Sequence, residues 1–523
     1  MFINSVFEQG LAAHRQGDLV TAQECYQQVL QQQPQHADAL HLSGVLAKQL
    51  NAADIGVDMI KKAIAINPVS SAYYNNLALC YRDMGDNRNA LAVLQQAVQL
   101  NPEDAMAWFN LGNVERDMGE RGAAISAYQT SLQHQPKNTA ALNNLGELLY
   151  KQGLFAEAEQ QLQKALVLEP GLQQAHANLG HVYRRLKHFP EALQHYRQAL
   201  AANARDFDSL FGTALVELQQ EDYPAGWDKY QARFFATEKI RYRHPELQAW
   251  PGIGHDGRVL VWAEQGVGDE IMFASLLPVL AQHVSAMTLE CDERLMPLFL
   301  QALPALHTVA KDSLDDAATV QQFDYQLPLG DLPRLLGFPQ TVGNNGRFLA
   351  AGQPADASGP LRIGISWISR NADTGHLRSI AFEQLAPLFK QPGTAWVNLQ
   401  FGDCTAEAEW LAAQGVCWED DPGYDKYTEL EKLADTIRGL NLVICVDNSV
   451  AHLSAALGVE TWILLNRYSD WRWGAEREDS IWYPSVTLLR QQQAGDWQPV
   501  ISRVQQRLQQ TQELVREKSH TVE

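Results

Sequence analysis

Pro34, Pro68, Pro102, Pro136 and Pro170 follow one another at intervals of 34 residues. A period held this regularly constrains a fold more than any composition, because each interval must be a copy of one supersecondary unit. Within Ser71–Asp104, Leu77, Ala78 and Tyr81 share one helical face, and Ala90, Leu94 and Ala97 share another. Gly85 separates the two helices and Pro102 ends the second. Ala105–Asn138 repeats the pattern with Trp108, Leu111, Gly112, Gly119, Ala124, Tyr128 and Pro136. Thr139–Leu172 repeats it again with Leu145, Gly146, Gly153, Ala158, Ala165 and Pro170. Small residues fall where two helices cross closely, and large ones fill the gaps between them.

Period and pattern together resemble the tetratricopeptide repeat, in six repeats over residues 1–206. The second repeat is weaker, with Gly56 and Ile60 at the alanine and aromatic places, and the sixth has Ala204 where proline is expected. A degenerate seventh pair is expected from Phe207 to Phe235, with Gly226–Arg233 as a capping helix. Pro245, Pro251, Gly252 and Gly254 then break regular structure, so 207–256 reads as capping helices and junction.

At 523 residues the chain holds more than one domain. Its 41 basic and 61 acidic residues give a net charge of −20 with no long basic run, which argues against nucleic acid or an anionic membrane as a partner held by bulk charge. Six cysteines are scattered without a CxxC pair, as suits reduced thiols. The N-terminus lacks the pattern of a signal peptide, and no apolar run reaches membrane-spanning length. The expectation is a soluble, cytoplasmic, multidomain protein.

Beyond the junction the period changes to alternating strands and helices. Arg258–Trp262 reads as a strand, 263–270 as a tight loop, Ile271–His283 as a helix, and Ala286–Glu290 and Phe323–Leu327 as further strands. A Gly/Asn/Pro/Ser-rich stretch, 346–360 at its core, reads as a linker between two α/β halves, 257–345 and 361–515, with 516–523 as a tail. The second half runs through Leu361–Trp367, Trp396–Gln400 and Val416–Trp418. It culminates in Leu442–Val446, a capped Ala/Leu helix from Ser449, and Thr461–Leu465, a βαβ unit; an amphipathic helix at Trp497–Val515 closes it. The fold class is thus an α-solenoid followed by a pair of Rossmann-type α/β domains, with a cleft at the carboxyl ends of their strands.

Four loops on that rim carry polar residues. Gly268 lets backbone approach a ligand, and Asp269 stands at a helix start; the plainer role for Asp269 is an N-cap. Arg370 and Arg378 supply positive charge after the first strand of the second half, or are simply solvated. Asp447, Asn448 and Ser449 open the helix that carries His452, where free N–H groups and the dipole favour an anion such as a diphosphate; Asp447 and Ser449 as mere caps is the alternative. Trp471 and Arg472 suit stacking on a base, or packing on the last helix. Four such loops on one rim favour a site. Asp315-Asp316 and Asp420-Asp421 read as solvated loop charge, and no metal site is expected.

Gly268-Asp269, Arg378-Ser379 and Asp447-Asn448-Ser449-Val450-Ala451-His452-Leu453 resemble glycosyltransferase family 9, the heptosyltransferases, and most of all its bacterial members fused behind tetratricopeptide repeats. In that subgroup 262–269, Asp470-Trp471-Arg472-Trp473 and Trp482-Tyr483-Pro484-Ser485 are also typical. The resemblance implies a GT-B fold and a metal-independent, inverting transfer, with no cofactor beyond a nucleotide-sugar co-substrate. It implies Asp269 as general base on the acceptor hydroxyl, and a phosphate-binding turn at Asp447, Asn448, Ser449 and His452. The family usually has glycine at the place of Ser449 and lysine at that of Arg370. A non-catalytic scaffold with a nucleotide-binding module is the competing class of function.

Asn76, Asn110, Asn144 and Asn178 are again 34 residues apart, at the sixth place of their repeats; Glu8, Leu42 and Gly212 stand there elsewhere. A carboxamide offers a donor and an acceptor, as an extended peptide backbone requires. The row resembles the asparagine ladder of the eukaryotic O-GlcNAc transferase, which implies a protein or peptide acceptor held in the repeat groove. Packing between helices is the alternative role.

Overall fold

The computed structural model describes residues 2–237, 240–314, 320–340, 347–349, 359–371, 374–419 and 423–521. Contacts divide the chain into two compact units, Met1–Val182 and Tyr183–Glu523. Thirteen consecutive helices, from Phe2–Arg15 to Phe207–Gln219, form an N-terminal tetratricopeptide-like solenoid.

In the first unit each repeat is a pair of packed helices, and the periodic residues explain how. The residue before each proline is pushed out of the α region by the ring: Gln33, Asn67, Asn101, Gln135 and Glu169 have φ between −137° and −130° with ψ between 78° and 91°, and the second helix of each repeat ends just before them. At the helix crossing there is no room for a side chain. A Cβ on Gly112 would stand 2.8 Å from the Tyr128 ring, and one on Gly146 2.6 Å from Leu162. Gly17, Gly85, Gly119 and Gly153 turn the chain between the two helices with φ of 75–85°. Asn51, Lys187 and Glu221 occupy the same place in the period and adopt the same left-handed turn, at φ 60°, 63° and 67°, so the period extends to a seventh turn although glycine does not.

The asparagine row lies within the solenoid's stacking. Nδ2 of Asn76 bonds His41 Nε2 (2.8 Å), that of Asn110 donates to Asn75 Oδ1 (2.8 Å) and that of Asn178 to Asn143 Oδ1 (3.0 Å), each bond spanning 35 residues. Phe109 takes the fifth place in the fourth repeat, so Asn144 donates instead to Asn113 Oδ1 at 3.1 Å.

The second unit contains the seventh pair, Phe207–Gln219 and Tyr223–Lys229, the latter running into a 3-10 turn and a last short helix, Arg233–Ala236. Two parallel sheets follow. The first comprises β1 (Arg258–Trp262), β2 (Ala286–Cys291), β3 (His307–Ala310) and β4 (Tyr325–Pro328), in the order β3-β2-β1-β4. The second comprises β5 (Leu361–Ser366), β6 (Thr394–Asn398), β7 (Trp418–Glu419), β8 (Leu442–Val446), β9 (Thr461–Leu465) and β10 (Val486–Arg490), in the order β7-β6-β5-β8-β9-β10. Both are doubly wound, with order reversing beside β1 and beside β5, and such switch points open a crevice at the strands' carboxyl ends.

β8 and β9 are buried along their whole length, as their unbroken apolar runs require. Three features depart from the sequence expectation. β3 and β10 are additional strands; β3 is a half-exposed edge strand with little apolar pattern. The helix expected over Ile271–His283 starts at Val267 and breaks into Val267–Ala274 and Leu277–Leu280, with Pro278 in the first turn of the second piece, where its missing N–H costs nothing. One core joins the Ala214–Tyr230 segment, the first sheet and one face of the second; another lies under the opposite face, where Val500, Ile501, Val504 and Leu508 of the last helix pack. Of the expected linker, residues 346 and 350–358 lie outside the described residues, as do 341–345 before it and Asp315, Asp316, Asp420 and Asp421. Among the described residues, no helix is long and apolar enough to cross a membrane.

Candidate functional site

The polar loops sit at the two switch points, and their helices meet. Val267–Ala274, which follows β1, packs on Ser449–Ala456, which follows β8. The contact is close because Gly268 lacks a side chain: a Cβ there would lie 2.8 Å from His452 Cδ2. Asp269, one residue on, receives Nε of Arg472 at 2.6 Å from the loop after β9.

Arg472 begins a chain of charges. Its Nη1 donates to Asp470 Oδ2 (3.0 Å), which also accepts from Arg378 Nη2 (3.2 Å). Nη1 of Arg378 reaches Asp447 Oδ2 at 2.8 Å, and Asp447 Oδ1 accepts from Trp473 Nε1 at 2.9 Å. Burial alone would raise the Asp470 carboxyl, but the fields of Arg472, Arg378 and Arg185 and a bond from the Arg472 N–H hold it far below the usual range. Burial also lowers His452, outweighing the pull of Asp269 and Asp447, which favours the neutral ring; its Nδ1 lies 3.0 Å from the Tyr483 hydroxyl, and the ring packs tilted against Trp473 at 5.0 Å.

The expected residues are therefore grouped unequally. Gly268, Asp269, Arg378, Asp447, His452, Trp471 and Arg472 belong to one cluster around Asp470. Asn448, not Asp447, is the N-cap: its Oδ1 accepts from the Ala451 N–H while Nδ2 donates to Ser366 Oγ at 2.9 Å, tying the turn after β8 to the end of β5. Ser449 is half-exposed as the first residue of the helix. Arg370 is exposed and donates to Phe401 O at 3.1 Å, above Gly402, on the other side of β5. Asn76, Asn110, Asn144 and Asn178 stand in the first unit and each commits an N–H to a neighbouring repeat. Asp470 and Trp473 are the members that sequence reading left out of the site, although both lie in the Asp470–Trp473 motif.

The repeats support this loop. Arg185 Nη1 and Gln219 Nε2 donate to the carbonyls of Tyr468 and Ser469 (3.4 and 2.9 Å), and Lys187 Nζ to that of Ala475 (2.6 Å). Trp227 meets Trp471 edge to face at 5.4 Å. At the first switch point Arg233 is fully buried between Glu264, after β1, and Asp331, after β4, at 2.9 and 2.7 Å, and Glu264 also accepts from the Gly330 N–H. Beside Asp269, burial lifts the Glu270 carboxyl to about 7; it accepts from the Asp292 N–H.

Period, turns and helix pairing define a tetratricopeptide-repeat protein whose repeats are followed by two doubly wound parallel sheets. Residues 3–211 match the family model described as the Cilia and flagella-associated protein 70 C-terminal domain. Protein FlbA of Caulobacter vibrioides is 29% identical over 325 residues, 56% of this chain and 54% of FlbA, so the chain spans about half the length of the curated relative it matches. Among solved structures, MamA is 26% identical at a TM-score of 0.29, covering 32% of this chain and 92% of its own. Pseudomonas aeruginosa PilF is 18% identical at 0.38, covering 40% and 94%. YrrB, described as a TPR protein with an unusual peptide-binding site, is 18% identical at 0.32, covering 35% and 95%.

Proposed function

We propose that the protein is a glycosyltransferase of GT-B type that transfers a sugar from a nucleotide-sugar donor to a polypeptide acceptor recruited by its repeats. The observation that supports this best is the meeting of two switch points: the carboxylate of Asp269, at the first, lies in the same charged cluster as Arg378 and the Asp447–Ser449 turn, at the second. A donor diphosphate would lie at the N–H groups of Ser449 and Val450 with Arg378 opposite it. The acceptor oxygen would attack the anomeric carbon as the carbon–oxygen bond to the diphosphate breaks. Asp269 takes the hydroxyl proton and the nucleoside diphosphate leaves with the bonding electrons. The second sheet would hold the donor and the first the acceptor.

The acceptor reading rests on the asparagine row. Asn76, Asn110 and Asn178 each have one N–H committed between repeats and would offer a peptide the second N–H and the carbonyl, whereas Asn144 also reaches the Tyr128 hydroxyl and accepts from Asn143. Asn110, only 6% exposed, offers least.

The test is a thermal-shift screen of the full chain against nucleotide sugars, followed by transfer from any hit to co-expressed protein. One nucleotide sugar should raise the melting temperature and give up its sugar to a polypeptide; no shift and no transfer with any of them sinks the reading. Replacing Asn110, Asn144 and Asn178 together by Ala should abolish modification while leaving donor hydrolysis intact. A scaffold without catalysis is the second reading, favoured by the ion pair that occupies Asp269. Donor binding without turnover would identify it.

A further inference from the structure

The pairing with Arg472 makes Asp269 a weaker base while it lasts: Nε stands 2.6 Å from Oδ1, and both side chains are about four-fifths buried. The partner is itself shared. Arg472 also bonds the oxygen of Asp470 that bonds Arg378, so both guanidiniums hang on one carboxylate oxygen beside the Asp447–Ser449 turn. An anion arriving at that turn competes with Asp470 for Arg378, and through Asp470 it alters what Arg472 is offered. Arg472 is well suited to exchange partners: its guanidinium lies over the Trp471 ring, 4.7 Å from the centroid, so one face is held while its five donors can be redistributed.

We infer that Arg472 is a latch that passes from Asp269 to the donor diphosphate, so that the base is released only when the donor is in place. The inference rests on the glycosyltransferase reading and adds to it an order of events. Donor binds first and Asp269 becomes free second. An acceptor hydroxyl or a water that arrives before the donor meets a carboxylate already occupied. Arg472 thereby binds the donor and withholds the base with the same group. The cost is that the resting ion pair weakens the donor site, because a diphosphate must displace a carboxylate to recruit this arginine.

The cost is measurable without turnover. Titration calorimetry of the full chain with ADP, GDP, CDP, UDP and pyrophosphate gives the affinity of the wild type and of Asp269→Asn. Asp269→Asn keeps the shape and an acceptor oxygen but removes the competing charge; it should bind the preferred diphosphate more tightly, within the roughly 5- to 150-fold span of ordinary coupling. Arg472→Ala should weaken binding, and in the double variant Asp269→Asn should give no tightening. Asp269→Ser provides the same comparison if the asparagine variant melts early. Unchanged or weaker binding by both Asp269 variants, with Arg472→Ala still impaired, overturns the latch and leaves the glycosyltransferase reading standing. Failure of every probe to bind wild type and variants alike removes both.

Discussion

Gly268 and His452 stand 184 positions apart in the chain, yet the imidazole edge fills the space where a Cβ on Gly268 would be, 2.8 Å from Cδ2. The contact fixes how closely the helices after β1 and β8 approach, and hence whether Asp269 reaches Arg472. Gly268→Ala is expected to cost about 1–3 kcal/mol, the usual penalty for overpacking, and to weaken binding of the preferred nucleoside diphosphate. Gly268→Ala with His452→Ala should recover part of the stability, since the ring is the obstacle. Denaturant midpoints of the two variants provide the check.

Three turns in the solenoid carry a side chain in the left-handed region, and two of them use it. Lys187 donates to Ala475 O, and Glu221 pairs with Arg477 at 3.3 Å, both holding the segment that follows Arg472. Asn51→Gly should therefore stabilise the protein by a few tenths to about 1 kcal/mol. Lys187→Gly should gain little, because relief of the backbone is offset by loss of the tether, and nucleoside diphosphate affinity should fall. Equal stabilisation by both substitutions would show that the tether has no effect.

Much of this organisation was legible in the sequence, and the limit has a physical origin. Repeats are local, so prolines and glycines 34 residues apart disclosed helices, turns and crossings. The turns at Lys187 and Glu221 were obscured because tertiary contacts had replaced the glycine. The loops on the rim could be read because each follows an apolar strand. That Asp470 is their hub could not, since its partner Arg378 is 92 residues away and nothing local encodes that distance. β3 stayed hidden as an edge strand with little apolar pattern, and the asparagine row was visible as a period while its commitment to neighbouring repeats was not.

Two buried groups should tilt stability with pH in opposite senses. Burial raises Glu270 from 4.5 to about 7, so the folded state binds its proton more tightly than the unfolded chain. That contribution is complete below about pH 4.5 and is lost as pH rises through 7, by on the order of 3 kcal/mol. Burial lowers His41 from 6.5 to about 4, where it stacks on Tyr73 and faces the amide of Asn76. Its contribution is complete above about pH 6.5 and is lost as pH falls toward 4. Unfolding free energies across pH 4–8 should lose the first slope in Glu270→Gln and the second in His41→Gln.

Asp470→Asn leaves Arg378 and Arg472 buried with less negative charge between them. Breaking a buried pair from one side costs about 3–5 kcal/mol, and the loss should appear in the melting curve of the full chain. Asp470→Glu should recover less than half, because the longer side chain cannot keep the 3.2 Å and 3.0 Å contacts and the cap on the Arg472 N–H together.

Arg233 precedes every strand among the described residues. A polypeptide made from its N-terminus carries this guanidinium before Glu264 or Asp331 has been synthesised, so each carboxylate finds its counter-ion ready and neither has to be buried alone. Severing reverses that advantage. A fragment beginning at the glycines near residue 254 would keep both acids and lose the cation that lies between them, leaving Glu264 buried without a counter-ion and Asp331 with only the longer contact to Arg334, at 4.0 Å. A piece that retains Arg233 keeps the pairing: by charge, the last helices of the solenoid belong with the sheet that follows them.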